Sequence, residues 1–161
     1  MNKPPSKIQF IDSLRQGRLA WDALLSQLDE SQLTQPGVCA EWSVKDIIAH
    51  ITWFEGEMVG LLQARAMVGS DLWNLPTDQR NAAIYAQNMS RLLEDVLSET
   101  GQVHAELLEA LEALPEEYLT DPALFPGMPP DWQPWEIIAG NSYDHYPHHI
   151  PDVGALLGLK P

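Results

Sequence analysis

The sequence predicts an all-α fold, a four-helix bundle with a long proline-rich crossover before the last helix. Three observations carry this prediction. Apolar residues recur three and four apart over four long stretches, the pattern of helices that each bury one face. Alternating apolar and polar runs of the kind that build strands are absent from the sequence. Prolines 122, 126, 129, 130 and 134 cluster between Asp121 and Pro134, where their missing amides exclude helix and mark a long ordered connection. Residues 1–161 are read as one domain, with no internal repeat.

The first helix is expected from Ser6 to Leu28, with Ile8, Ile11, Leu14, Leu19, Leu25 and Leu28 on its apolar side and Ser6 as N-cap. Pro36-Gly37 then breaks the pattern. Ser43-Val44-Lys45-Asp46 reads as a capping box, so a second helix should run from Val44 to Met67 with Val44, Ile47, Ile48, Ile51, Met58 and Leu62 facing inward. Asp78 to Met89 and Leu92 to Leu114 are both periodic and meet near Ser90. They form one bent helix or two in tandem, with Ser90 as a second N-cap. Pro134 suits the first turn of a last helix continuing through His149 towards Leu157.

Charge and composition exclude several functions. With 23 acidic and 9 basic residues the net charge is −14, which repels nucleic-acid phosphates and anionic lipid surfaces. No apolar run reaches the roughly 20 residues that span a bilayer, and Met1 to Pro5 lack the apolar core of a signal peptide, so no membrane association and a cytoplasmic location are expected. The single cysteine, Cys39, precludes an internal disulfide and a cysteine-based zinc site, and is read as an incidental thiol.

The five histidines carry the chemistry. Helical counting places His145 and His149, one turn apart, at the centre of the inward stripe formed by Trp135, Ile138, Ala139, Ser142, Val153 and Leu156. His50 lies at the edge of the second helix's stripe, beside Phe54, Glu57 and Leu61, while His104 and His148 are read as surface residues. Two imidazoles at i and i+4 and a third from another helix make a facial set with open positions, suited to zinc, nickel or another divalent ion. The alternative is that each is a core histidine bonded to a neighbour. Pro147 lies between the paired histidines, and a kink there either tilts His149 away or widens the bundle for a ligand.

Four segments resemble the DinB/YfiT-like superfamily of helical bundles, and within it the ClbS/DfsB-like branch. They are Trp42-Ser43-Val44-Lys45-Asp46-Ile47-Ile48-Ala49-His50, Arg80-Asn81-Ala82-Ala83-Ile84-Tyr85, Phe125-Pro126-Gly127 with Trp132, and Pro134 through Tyr146. The resemblance implies that His50, His145 and His149 are metal ligands, although Pro147-His148 stands where that pattern has a charged or polar pair. Superfamily members include thiol-dependent enzymes and ClbS, a resistance protein that opens a cyclopropane. Small-electrophile chemistry is therefore implied, with an electrophile or a thiol as partner.

For such an enzyme, Glu57 is a candidate base or extra ligand, and Tyr143 and Tyr146 are candidate hydroxyl donors. Arg65, Arg80 and Arg91 are the cations available to clamp a thiol cofactor's carboxylates, and their scarcity favours a hydrolase or resistance activity over a thiol transferase. The alternative is a non-catalytic bundle that sequesters a small molecule between its tryptophans and the proline-rich loop. An exposed apolar face on the first or third helix can support a homodimer.

Overall fold

The computed structural model describes residues 3–160, which form seven α-helices, three short 3-10 turns and no strand. The helices are α1 (Lys7–Leu25), α2 (Glu30–Thr34), α3 (Val44–Ala64), α4 (Thr77–Asn88), α5 (Leu93–Ala113), α6 (Pro134–Gly140) and α7 (Tyr146–Ala155). The bundle consists of α1, α3, α5 and the α6–α7 pair. α3 packs along α5, α1 packs on α5 and α7, and α2 and α4 lie against α3. Among the described residues no helix is long and apolar enough to cross a membrane.

Local chemistry sets the helix starts. The hydroxyls of Ser6 and Ser43 accept from the amides of Gln9 and Asp46, whose side chains reach back to the capping residues, so both predicted N-termini form as reciprocal boxes. An unforeseen third box, Asp29 with Gln32, begins α2. α3 stops earlier than expected because Arg65 turns left-handed, at φ 49°. α4 and α5 are two tandem helices rather than one bent one. Leu92, not Ser90, is the N-cap of α5, and it makes no side-chain cap bond.

The last helix departs most from expectation, because α6 ends at Gly140 and α7 begins only at Tyr146. Two side chains in the gap bond to backbone carbonyls of α6: Asn141 Nδ2 donates to Ile137 O at 2.8 Å, and Ser142 Oγ to Ile138 O at 2.6 Å. Pro147 has no amide to bond Tyr143 O and would crowd that carbonyl in a continuous helix. The chain therefore breaks and restarts with Pro147 in the first turn of α7, where a missing amide costs nothing.

The core falls into two apolar clusters. One contains Phe10, Leu14, Met58, Leu62, Leu107 and Ile138; the other contains Trp21, Ile47, Ile51, Val96, Tyr146 and Val153. Each such side chain withdrawn from water contributes about 1.5–3 kcal/mol. Ile8 and Leu19, expected to face inward, are instead 74% and 68% exposed. Buried polar residues also enter the interior, among them Arg18 of α1, Glu55 of α3, Thr100 of α5 and Ser142 between α6 and α7. Arg18 donates to Asp22 Oδ1 at 2.8 Å and to Thr100 O at 3.2 Å, and lies 3.9 Å from Glu55 Oε2. The Tyr146 hydroxyl donates to Glu55 Oε1, and the tyrosine ring stacks on Trp21.

Candidate metal centre

α3 presents His50 two turns from its capped start, and the restarted α7 presents His145 at its N-cap position and His149 one turn further on. His50 Nε2 and His149 Nε2 each lie 3.2 Å from His145 Nε2. The three ligand atoms all fall within 4.8 Å of one another. The helix break thus brings together the residues whose pairing Pro147 had placed in question. Burial is the reverse of the helical count: His50 is the buried member, 4% exposed, while His145 and His149 are half-buried.

The imidazoles are held neutral. Burial, reinforced by repulsion within the cluster, lowers both His50 and His145 from the usual 6.5 to about 3, with the Arg80 guanidinium adding to the effect on His50. Burial also lowers His149, against the opposing charge of Asp152. Three neutral nitrogens converging at this distance suit a cation, since mutual hydrogen bonds among them need protons that at most some of the three can supply. Two of the three nitrogen pairs, at 3.2 Å, are as close as ligands sharing one small divalent ion would be. Nδ1 of His50 and of His145 is buried without a partner, so neither ring is oriented by the outer hydrogen bond that usually accompanies metal-bound histidine.

Aromatic rings wall the cluster. Phe54 packs edge-on against His50 and His145, with ring centroids 4.9 and 5.0 Å away. Trp42 lies 5.2 Å from His50 and stacks on Tyr85 of α4 at 5.5 Å. A tight turn places Trp42 there: its amide donates to Cys39 O, Val38 and Cys39 donate to its carbonyl, and Ala40 between them adopts φ 50°. Cys39 itself is half-buried, and burial together with nearby Asp152 raises its thiol, which disfavours a reactive thiolate. Trp73 continues the wall beyond Phe54 at 5.5 Å, and the Arg80 guanidinium lies 4.8 Å above the Trp73 ring.

The three residues expected to do acid–base work have other contacts. Glu57 Oε2 accepts from Ser70 N at 2.8 Å and Trp73 Nε1 at 2.7 Å, holding the segment after α3 against the helix, and it is not a member of the metal-suited cluster. Tyr143 packs edge-on against Phe10 on α1 at 5.3 Å, with its hydroxyl pushed up to about 12 by burial. Tyr146 is buried beside Glu55, where desolvation and Glu55's charge raise its hydroxyl far above the usual range. Glu55 is likewise raised by burial, to about 7.

His148 is exposed as expected, but His104 is half-buried and lowered to about 4 by burial. Of the cations proposed as clamps, Arg91 pairs with Glu99 and Arg65 lies over Tyr118, which leaves Arg80 beside the histidines. The Arg18–Glu55 pair was missed by sequence reasoning. Its only signal was two charged residues at inward positions on α1 and α3.

A cavity of about 780 Å³ opens beside Trp73, lined also by Met58, Met67, Trp132 and Ile137 among others. The proline-rich connection contributes Asp131 to Gln133 to its rim, so this segment does border a pocket. The family model described as the mycothiol maleylpyruvate isomerase N-terminal domain matches residues 14–150. No curated protein and no solved structure matches the chain significantly.

Proposed function

The chain belongs to the mycothiol maleylpyruvate isomerase N-terminal domain family, a DinB/YfiT-like helical bundle, and from this we propose that it is a metal-dependent enzyme joining a low-molecular-weight thiol to a small electrophile. The observation that carries the reading is the convergence of three neutral Nε2 atoms, with separations of 3.2 Å along the His50–His145–His149 chain. These residues would hold the ion. When bound, a divalent ion on three uncharged ligands keeps its full charge and an open position, which acidifies a thiol or a water there.

The chain's own residues prepare the site around that position. Burial keeps the imidazoles unprotonated at neutral pH, so their lone pairs are available. Trp42, Phe54 and Trp73 supply an apolar wall that excludes water and accepts a carbon skeleton. In the reaction the thiol sulfur forms a bond to an electrophilic carbon, the displaced electron pair stays on the substrate, and the thiol proton ends on it. The family match favours thiol chemistry over the ClbS-like hydrolase suggested by the scarcity of arginines.

Metal content after expression in defined medium, with His50→Ala, His145→Ala and His149→Ala beside the wild type, tests the centre. About one ion per chain is expected for the wild type, with loss in the variants. Less than about a tenth of an ion per chain after zinc and nickel loading overturns the reading. Incubating the loaded protein with an epoxide, with and without mycothiol or bacillithiol, tests the reaction: the adduct should require the thiol.

A second reading is favoured by the 780 Å³ cavity beside Trp73 and Trp132, namely a bundle that binds a small molecule without transforming it. A ligand retained by His145→Ala in the absence of metal would support it.

A further inference from the structure

We propose that Arg80 is the anion-recognition residue of the histidine centre, receiving a carboxylate of the ligand whose other end reaches His50, His145 and His149. The inference rests on reading those histidines as a binding centre, and it adds the chemical class of the ligand: an organic anion with an apolar body.

The case begins with the basic residues, nine against 23 acidic ones. Arg15, Arg18 and Arg91 each pair with a carboxylate. Lys7 is tied to the carbonyls of Glu112 and Leu114, and Lys45 to those of Met89 and Arg91. Arg65 lies over Tyr118. Among the described residues Arg80 has no carboxylate within ion-pair distance, and its side chain makes one long contact, 3.4 Å, to Thr77 Oγ1. Its Nε is nonetheless buried and without a partner. The buried Nε is closed to an incoming ligand, but Nη1 is neither buried nor bonded and Nη2 makes only the long Thr77 contact, so the end of the guanidinium is open to an anion from outside.

Its position fits that use. The guanidinium carbon stands 4.8 Å from the Trp73 ring centroid and 5.9 Å from that of Phe54, and the other neighbours of Phe54 are His50 and His145. The cation and the imidazoles therefore share Phe54 as a neighbour, and the Arg80 charge is felt at His50. Phe54 and Trp73 are inclined at 78° to each other, so the guanidinium can face only one of them, and Trp73 at 4.8 Å is the nearer; that contact narrows its orientations and lowers the ordering needed for bidentate contact with a carboxylate.

Phenylacetate and its neutral isostere phenylacetamide test the assignment, titrated against the wild type, Arg80→Gln, Arg80→Lys and His145→Ala, each with and without zinc. Tryptophan fluorescence is the binding signal, and zinc stoichiometry and circular dichroism report the centre and the fold. The expectation is that Arg80→Gln weakens phenylacetate by at least about tenfold while shifting phenylacetamide less than about twofold, with Arg80→Lys between the two. Zinc stoichiometry should be unchanged in both Arg80 variants. Equal loss for both probes, no loss for either, or a wild type that binds the acid no tighter than the amide overturns the proposal. A wild type without zinc overturns the metal reading alone, and the metal-free titrations still decide the role of Arg80.

Discussion

Lowering the pH from 7.5 to 5.0 should weaken metal binding far less than three ordinary imidazoles would allow, because burial disfavours protonation of all three. An imidazole at its ordinary value is roughly 97% protonated at pH 5 and weakens apparent affinity about 30-fold. Three such ligands together would cost on the order of 10⁴-fold, or about 6 kcal/mol. His50 and His145 lie at about 3, where pH 5 leaves only about 1% protonated and the factor is close to one. His149, shifted in the same direction, is the ligand left to contribute, so the expected loss stays below about 30-fold. Calorimetric titration with zinc at pH 7.5, 6.0 and 5.0 in non-coordinating buffers measures it. A loss of about 10³-fold or more would show that at least two of the imidazoles titrate as exposed histidines, refuting the burial argument.

The metal-free protein should behave differently, with lower stability at acid pH. The folded values of His50 and His145 lie below their unfolded ones, so their contribution is complete above about pH 6.5 and falls by about 2 kcal/mol each by pH 5. Glu55, raised from 4.5 to about 7, works in the opposite sense and returns about 2 kcal/mol over that range. His104, lowered to about 4, loses about a further 2 kcal/mol, so a net loss of about 4 kcal/mol in urea denaturation is expected, and equal or greater stability at pH 5 would contradict it. Tyr146→Phe removes the donor to buried Glu55 and should destabilise by about 1–3 kcal/mol while leaving zinc stoichiometry intact; lost turnover at unchanged stability would instead show the hydroxyl acting in the chemistry. Pro147→Ala should change stability by less than about 1 kcal/mol and keep the metal, since the proline sits in a helix's first turn; loss of the ion would show that the ring aims His149. Glu57→Gln should leave zinc affinity within a few-fold and speed proteolysis near Ser70, the segment its carboxylate holds.

Much of the helical layout was legible in the sequence because its determinants are local. The Ser6 and Ser43 boxes act within three residues, and the stripe Val44, Ile47, Ile48, Ile51, Met58 and Leu62 is buried as counted. Counting failed where a local pattern was interrupted by competing bonds. At Pro147, where the sequence suggested a kink, the chain instead breaks and restarts, with Asn141 and Ser142 bonding their side chains back to the carbonyls of α6, and the apolar period runs through that break unchanged. Counting also sent Leu19 inward and His104 outward, since period alone does not say how wide a face its neighbours cover.

The sequence by itself determined which segments become helices, where the boxed ones start, and which three imidazoles are available as a set. Only the tertiary structure decided that their Nε2 atoms meet, because His50 and His145 are 95 residues apart and their approach depends on the summed packing of α3 against its neighbours. The same packing bonded Tyr146 to buried Glu55, tied the Glu57 carboxylate to the segment after α3, and left Arg80 unpaired beside the rings. A charged side chain's role follows from what desolvates it and what faces it, and both belong to other segments of the chain.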